Sequence, residues 1–132
     1  DCEVCAIGGR GVPDFELLQK RQRHKDRSIP VRLFVFDILM RNGKDLRPRQ
    51  LVDRKQVLRK LLPAAEGLLT PVEPVTGDAR TFYQECVRLG LEGMVAKRAD
   101  SAYVAERSRD WIKTKPAGTH DGWKRPLTRS PR

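Results

Sequence analysis

The sequence predicts an α+β domain in which short strands form mixed or antiparallel sheets and helices flank those sheets. Apolar runs rich in β-branched and aromatic residues recur along the chain, and two other segments place apolar residues at helical spacing. These elements do not follow one another as a regular βαβ series, which argues against an all-parallel sheet. A length of 132 residues suits one such domain.

The first half of the chain is predicted to contain two strands with a short helix between them. Residues 1–7, DCEVCAI, have the composition of a strand, and Asp14 can cap a helix that reaches at least Gln19. A basic stretch, KRQRHKDRS, follows and is predicted to be mobile. Residues 30–40, PVRLFVFDILM, are too continuously apolar for a strand with one solvated face, so we expect a central strand there. The Asn-Gly pair at 42–43 predicts a hairpin-type turn after it.

The next segments are predicted to form two helices separated by an edge strand. Residues 50–63, QLVDRKQVLRKLLP, fit a surface helix that ends at its proline. Residues 68–75, LLTPVEPV, fit a short strand at a sheet edge, where proline is tolerated. A second helix is expected from Asp78 to Gly90. Its predicted apolar face consists of Phe82, Cys86 and Leu89.

Two strands and a tail are predicted to complete the chain. The strands are expected within residues 91–98, LEGMVAKR, and residues 109–115, RDWIKTK. Residues 116–132 have the composition of a disordered basic tail. We therefore divide the chain into a folded part over residues 1–115 and a tail over residues 116–132.

The charge balance indicates a polyanionic partner. Lysine and arginine number 27 against 17 aspartate and glutamate residues, for a formal net charge of +10. Nucleic acid or nucleotide phosphate fits this balance, whereas a membrane partner is not expected, because no long apolar segment or basic amphipathic helix is visible. A basic solvated surface without a specific partner is the alternative that composition alone leaves open.

The three cysteines indicate a reducing compartment. Cys2, Cys5 and Cys86 are an odd number and do not form a disulfide framework. The Cys-x-x-Cys spacing lacks a second Cys/His pair, and residues three apart in a strand point to opposite faces, so zinc is not expected. We predict that all three are small buried residues.

The strand over residues 109–115 carries a candidate anion site. A period of two puts Trp111, Lys113 and Lys115 on one face, with the two ammonium groups about 7 Å apart. Like charges at that distance repel unless an anion lies between them, and a phosphate is the obvious anion. An exposed edge strand with two solvated lysines is the more common alternative.

Two glutamates and one phenylalanine have both functional and purely structural interpretations. Glu3 and Glu92 begin or sit in otherwise apolar strands, and two carboxylates near a nucleotide can hold Mg²⁺ and hydrogen-bond a ribose hydroxyl. Spacing alone slightly favours rim glutamates that pair with arginines. Phe36 by default belongs to the core, and the functional alternative is a platform on which a base stacks.

Four motifs together resemble one enzyme family. DCEV, FVFDIL, LEGMVAKR and DWIKTK, in this order and at these separations, closely resemble motifs III, IIIa, IV and V of ATP-dependent DNA ligases. The resemblance covers nearly all of residues 1–115 and favours the bacterial end-joining type, in which EGVVAKR, a following tyrosine and RSxDWxKxK recur. Here these are EGMVAKR, Tyr103 and RSRDWIKTK. The resemblance implies part of a DNA ligase/mRNA capping nucleotidyltransferase domain, ATP-grasp-like, with ATP between two packed sheets.

The resemblance assigns roles to individual residues. Glu3 matches the motif III glutamate near the ribose and the metal, and Phe36 matches the aromatic residue stacked on adenine. Glu92 matches the metal-site carboxylate of motif IV. Lys113 and Lys115 match the motif V pair on the α-phosphate, where they act both in binding and in catalysis.

Lys97 matches the motif IV lysine of the family and is a third catalytic candidate. Strict alternation would place it on the opposite face from Glu92, unless a bulge at Gly93 intervenes. The residues between the two charged ends of the motif are expected to anchor the strand in the core. They are Met94, Val95 and Ala96.

The resemblance also implies a reaction, cofactors and a partner. In the family a lysine attacks the α-phosphate of ATP, the resulting AMP moves to the 5′-phosphate of a DNA nick, and the 3′-hydroxyl then displaces it. The implied cofactors are ATP and Mg²⁺ (or Mn²⁺), and the implied partner is nicked double-stranded DNA. We expect a monomer in the bacterial cytoplasm, associated with the nucleoid.

Departures from the family pattern change this expectation. The family nucleophile lies in a K-x-D-G motif, which occurs nowhere in this chain. Cys2 replaces the motif III glycine, and Glu106 stands where bacterial relatives usually have glycine. Nothing after Lys115 resembles an oligonucleotide-binding domain. We therefore expect the second half of a catalytic domain, inactive alone. A non-catalytic nucleic-acid-binding remnant and a related RNA ligase or capping nucleotidyltransferase are the alternatives.

Overall fold

A computed structural model of the chain describes residues 1–9, 11–62 and 67–116. The strands in this part are β1 (Cys2–Ala6), β2 (Val31–Val35), β3 (Met40–Arg41), β4 (Lys44–Asp45), β5 (Leu69–Pro71), β6 (Met94–Lys97) and β7 (Trp111–Thr114). The helices are α1 (Phe15–His24), α2 (Leu51–Leu61) and α3 (Ala79–Arg88). β1, β2 and β5 form one sheet in that order, while β3–β4 and β6–β7 are two-stranded pairs. The predicted α+β class is confirmed.

The central strand of the three-stranded sheet is β2, as predicted. It pairs antiparallel with β1 and parallel with β5, so β5 is the edge strand that its proline content indicated. β2 ends at Val35, earlier than predicted, and the side chain of Asp37 is buried in an ion pair with Arg54. The Asn42-Gly43 turn joins β3 to β4, with φ values of 49° and 76° that suit a tight hairpin.

Helix α1 begins where the sequence predicted and extends further. The Asp14 carboxylate accepts a hydrogen bond from the Leu17 amide at 3.0 Å, which satisfies one of the free amides of the first turn. The helix continues to His24, so half of the basic stretch predicted to be mobile is helical. Lys25 ends it in the left-handed conformation, with φ 52°.

Helix α3 is capped as predicted but is less buried than its pattern indicated. The Asp78 carboxylate accepts hydrogen bonds from the amides of Arg80 and Thr81. On the predicted apolar face only Cys86 is buried, at 2% exposure, whereas Phe82 and Leu89 are 38% and 43% exposed. The predicted apolar face is therefore only partly buried.

The core of the described part is small and contains a charged pair. Its buried apolar residues are Ala6, Leu46, Leu51, Leu58 and Cys86. Asp37 and Arg54 are buried beside them, at 2% and 0% exposure. The prediction that all three cysteines are buried holds for Cys86 only, because Cys2 is exposed on the edge strand β1 and Cys5 is half-buried.

Two further predictions concern the tail and membrane-spanning segments. The tail over residues 116–132 lies, except for Pro116, outside the described residues. None of the helices within the described ranges is long and apolar enough to cross a membrane.

Candidate functional site

The antiparallel pair β6–β7 carries two of the predicted site residues, Lys97 and Lys113. Val95 lies opposite Lys113 in the register, and Lys97 lies opposite Trp111. Directly opposed residues of an antiparallel pair project from the same face. Lys97, Trp111 and Lys113 therefore share one face of the pair.

Glu92 lies between the two lysines of the predicted anion site. Its Oε1 atom is 3.1 Å from Lys113 Nζ and 3.2 Å from Lys115 Nζ. The hydrogen bond from Lys113 is the main reason that the pKa of Glu92 lies below its ordinary value; partial burial opposes this, and Lys115 adds to it. The anion expected between the lysines is thus supplied by the chain itself, and the glutamate pairs with lysines rather than with an arginine.

Gly93 allows Glu92 to reach this position. Its φ of 150° is a backbone conformation that residues with a side chain rarely adopt. A Cβ atom there would collide with the carbonyl oxygen of Thr114 and would lie 3.1 Å from the Cα of Lys115. The irregular backbone at Gly93 interrupts the alternation, so Glu92 bonds to Lys113 on the face that also carries Lys97.

Lys97 contacts an aromatic ring. Its Nζ atom lies 4.1 Å from the centroid of the Trp111 ring, a cation–π geometry. Tyr103 packs edge-on against Trp111, with 5.1 Å between the ring centroids. Burial is the main cause that lowers the pKa of Lys97, and the nearby Asp37 carboxylate partly offsets it. Lys97 is therefore held against Trp111 rather than by Glu92.

The expected anchoring of Met94, Val95 and Ala96 in the core is wrong for two of these three residues. Met94 is half-buried, but Val95 is 49% exposed and Ala96 is also exposed. The physical reason is that β6 belongs to a pair of only two strands, which leaves much of the pair open to solvent.

Glu3 and Phe36 share a face of the three-stranded sheet. Glu3 lies opposite Phe34, and the Phe36 amide donates to the Asp1 carbonyl at 2.8 Å, which continues the same register. Glu3 is exposed and forms no hydrogen bond or ion pair with another described residue through its side chain, and Phe36 is half-buried. Thr70 lies opposite Phe34 on the other side, and its buried hydroxyl oxygen has no hydrogen-bond partner in the described structure.

The predicted residues thus form two groups. Glu92, Lys113 and Lys115 make one cluster on β6–β7 and its flanks, with Lys97 on the same face. Glu3 lies on β1, and Phe36 directly follows β2, the neighbouring strand of the three-stranded sheet. The two groups therefore belong to different sheets.

Comparison with known proteins decides the family. The family model described as the ATP dependent DNA ligase domain matches residues 1–115. The chain belongs to the ATP-dependent DNA ligase family. This ligase-family chain is 35% identical over 116 residues to the multifunctional non-homologous end joining protein LigD of Pseudomonas aeruginosa. The match covers 87% of the chain and 14% of that protein.

Solved structures support the same assignment. The ligase domain of LigD from M. tuberculosis superposes with a TM-score of 0.74 at 33% identity. A mycobacterial DNA ligase D complexed with ATP and MES superposes with a TM-score of 0.72 at 31% identity. Each match covers 87% of this ligase-family chain and 36% of the solved chain. The resemblance and the partial nucleotidyltransferase fold predicted from the four motifs are confirmed.

A buried ion pair in this DNA ligase domain was not assigned a role from the sequence. Arg54 donates from Nε and Nη2 to the two carboxylate oxygens of Asp37, at 2.9 and 2.8 Å. Its Nη1 atom donates to the backbone carbonyls of Arg49 and Ser101. Arg54 is a residue of α2, and it therefore connects Asp37, which follows Phe36, to this helix and to the loop after β6.

Proposed function

We propose that this chain supplies nucleotide-binding surfaces of a DNA ligase adenylation domain and that the nucleotide is ATP. The observation that carries the proposal is the Glu92–Lys113–Lys115 cluster, in which two ammonium groups hold a single carboxylate oxygen. A phosphate oxygen can take the place of that carboxylate oxygen, because both are anionic acceptors of the same lysine donors.

Lys113 and Lys115 would then act on the α-phosphate. Phosphoryl transfer is accelerated mainly by positioning and by neutralising charge on the transferred group, and two preorganised ammonium groups provide both. Lys97 adds a positive charge on the same face and is kept in place by its contact with the Trp111 ring. Lys97 would help to position the phosphates and to stabilise their negative charge.

Glu92 is the residue best placed to hold a divalent cation, Mg²⁺ (or Mn²⁺), beside the phosphates. The described residues contain no group of three or more His, Cys, Asp or Glu side chains that could hold a metal ion. Mg²⁺ is commonly held by one or two carboxylates together with substrate phosphates, so no larger group of carboxylates is needed. When bound, the cation neutralises charge on the phosphates. Glu3 is the proposed second carboxylate and the proposed ribose contact.

Phe36 is the proposed adenine platform. It is half-buried, and it lies on the same face of the sheet as Glu3. A half-buried ring presents one surface to the protein and can leave the other for a stacked base. The group formed by Glu3 and Phe36 would therefore bind the nucleoside, while the Glu92 cluster binds the phosphates.

The proposed partner of the complete activity is nicked duplex DNA. The net charge of +10 suits a DNA backbone, and the family reaction passes from lysyl-AMP to DNA-adenylate and then to the sealed strand. The chain spans 14% of the Pseudomonas LigD protein, and it contains no K-x-D-G motif for the attacking lysine. We propose that it acts as a monomer and needs that motif from elsewhere for catalysis.

The chain alone is expected to bind ATP without forming a covalent AMP adduct. The lysines of the cluster are assigned to charge stabilisation, and no K-x-D-G lysine is present to attack the α-phosphate. Intact-mass spectrometry after incubation with ATP and Mg²⁺ measures this directly. An adduct with the mass of AMP on any lysine would show that the nucleophile has been misassigned.

Glu92→Ala is expected to remove the Mg²⁺-dependent part of ATP binding. Titration calorimetry with and without Mg²⁺ should show the wild-type gain in affinity abolished in the variant, an effect of about tenfold or roughly 1.4 kcal/mol. Glu106→Ala is the matched control, because Glu106 is an exposed carboxylate in the loop between the same two strands. Equal Mg²⁺ dependence in the two variants would exclude Glu92 from the metal site.

A further inference from the structure

A basic recess lies beside the β3–β4 hairpin and shares no lining residue with the cluster at Glu92. It has a volume of about 340 Å³. Its lining residues are Arg41, Asn42, Lys44, Leu46, Arg49 and Val57. The hairpin supplies its polar wall, and the buried Leu46 together with Val57 of α2 supplies its apolar side.

The three cations of this basic recess lack carboxylate partners. Arg41, Lys44 and Arg49 are exposed, and none forms an ion pair with another described residue. The adjacent Arg47 differs, because its guanidinium group forms a salt bridge with Asp45 at 2.8 Å. Converging cations without a carboxylate among them favour an anionic ligand from outside the chain.

We propose that the basic recess binds phosphate groups of the duplex DNA backbone. Two guanidinium groups, one ammonium group and the Asn42 amide are all donors, and guanidinium forks match the oxygens of a phosphate. The described residues that line the recess include no aromatic ring on which a base could stack and no carboxylate for a ribose or a metal ion. They include no residue of the Glu92 cluster either, so the recess is a separate site from the one proposed for ATP.

The shape of the hairpin is compatible with a long polymeric ligand. Residues 40–45 are all exposed, and the turn at Asn42 and Gly43 stands at the end of a pair of two-residue strands. An exposed hairpin beside an open recess can contact a backbone that continues past it in both directions. Contacts with phosphates position a protein on DNA without reading its sequence, so binding here is independent of sequence.

The first test compares two charge-matched triple variants of the full 132-residue chain. Arg41→Gln, Lys44→Gln and Arg49→Gln together remove the cations of the basic recess. Lys60→Gln, Arg80→Gln and Arg107→Gln remove three exposed cations from other surfaces and give the same net charge. Circular dichroism of both variants checks that the fold is retained.

The recess variant is expected to weaken binding to a blunt duplex and to flatten its salt dependence. The slope of log K against log salt should fall by about 0.9 for each DNA phosphate that the variant no longer neutralises, and so by roughly two to three units. The control variant should change the slope by less than about 0.9, the value expected for one phosphate. Equal changes in both variants would mean that the recess acts only through net charge, and the proposal would fail.

The second test observes the wild-type chain directly. Addition of a short duplex should shift the backbone amide resonances of Asn42 and Gly43, and a duplex of unrelated sequence should shift them equally. Inorganic phosphate and ATP, at the same phosphate concentration, should leave them unchanged if the ligand is a DNA backbone. Saturable shifts with inorganic phosphate would instead reveal a small-anion site and overturn the proposal, and unmoved amides with DNA would exclude this surface.

The choice of duplex DNA as the partner rests on the proposed function, but the outcome is separable from it. Neither test requires ATP binding, adenylylation or the Glu92 cluster. Loss of ATP binding with intact recess binding would reject the nucleotide proposal alone. Intact ATP binding with no effect of the recess variant would reject the inference about the recess alone.

Discussion

Arg54→Ala is expected to destabilise the chain by about 3–5 kcal/mol, the usual cost of leaving one partner of a buried ion pair without the other. The Asp37 and Arg54 side chains are both fully buried, so the remaining carboxylate could not be solvated. The variant would also lose the donors to the carbonyls of Arg49 and Ser101. Domains of this size have about 5–15 kcal/mol of stability in total, and the apolar core here is small. Urea unfolding followed by circular dichroism measures the loss.

A matched control for this variant is Arg59→Ala. Arg59 lies on the same helix and pairs with Glu73, but both side chains of that pair are about half exposed. Exposed pairs contribute about 0–1 kcal/mol, so the control should remain near wild type. If Arg54→Ala and Arg59→Ala were equally stable, the Asp37–Arg54 pair would not be buried in solution. Replacing both Asp37 and Arg54 by apolar residues should recover part of the loss, because no unpaired charge remains.

Lys113→Ala combined with Lys115→Ala is expected to lower the affinity of the chain for ATP by about 100-fold or more. Hydrogen bonds to charged groups each contribute roughly 1.5–3 kcal/mol, and this variant removes two such donors. Fluorescence titration with a labelled ATP analogue, displaced by ATP, measures the change. Duplex binding should fall only slightly, because two charges are removed from a chain with net charge +10.

The control for the lysine pair removes two cations that have no role in the proposed site. Lys60→Ala combined with Arg80→Ala lowers the net charge by the same amount, and both residues are exposed. Its affinity for ATP should stay within about twofold of wild type, a difference of roughly 0.4 kcal/mol. A loss of ATP affinity as large as that of the lysine pair would indicate a general electrostatic effect and no phosphate site on β7.

Much of the fold could be predicted because it depends on local patterns. Asp14 and Asp78 cap helices with their own carboxylates, and the Asn-Gly pair at 42–43 forms the expected turn, so short-range chemistry was sufficient there. The order of the four motifs was sufficient to identify the family. The exposure of Val95 was not predictable in this way, since an apolar strand composition does not reveal how many strands its sheet contains.

The parts of the site that escaped prediction depend on contacts between distant segments. The pairing of Glu92 with two lysines requires the register of β6 on β7 and the irregular backbone at Gly93. Arg54 did leave a signal in the sequence. It lies three residues after Leu51 and four before Leu58, both buried, so the helical period places it on the buried face of α2. Because Arg54 is charged, the sequence alone does not suggest that it is buried. Its burial is explained only once Asp37 is known to be its partner.

The arrangement of the charged residues Glu92, Lys113 and Lys115 depends on Gly93, which has no side chain. Because a methyl group there would strike the Thr114 carbonyl, the ends of β6 and β7 can approach each other only while a hydrogen atom occupies that direction. The condition is steric, and dissolved ions do not alter it. Salt screens the attraction between Glu92 and its lysines. The backbone that brings them together is unaffected, so the cluster of Glu92, Lys113 and Lys115 keeps its shape at ionic strengths where its ion pairs contribute little.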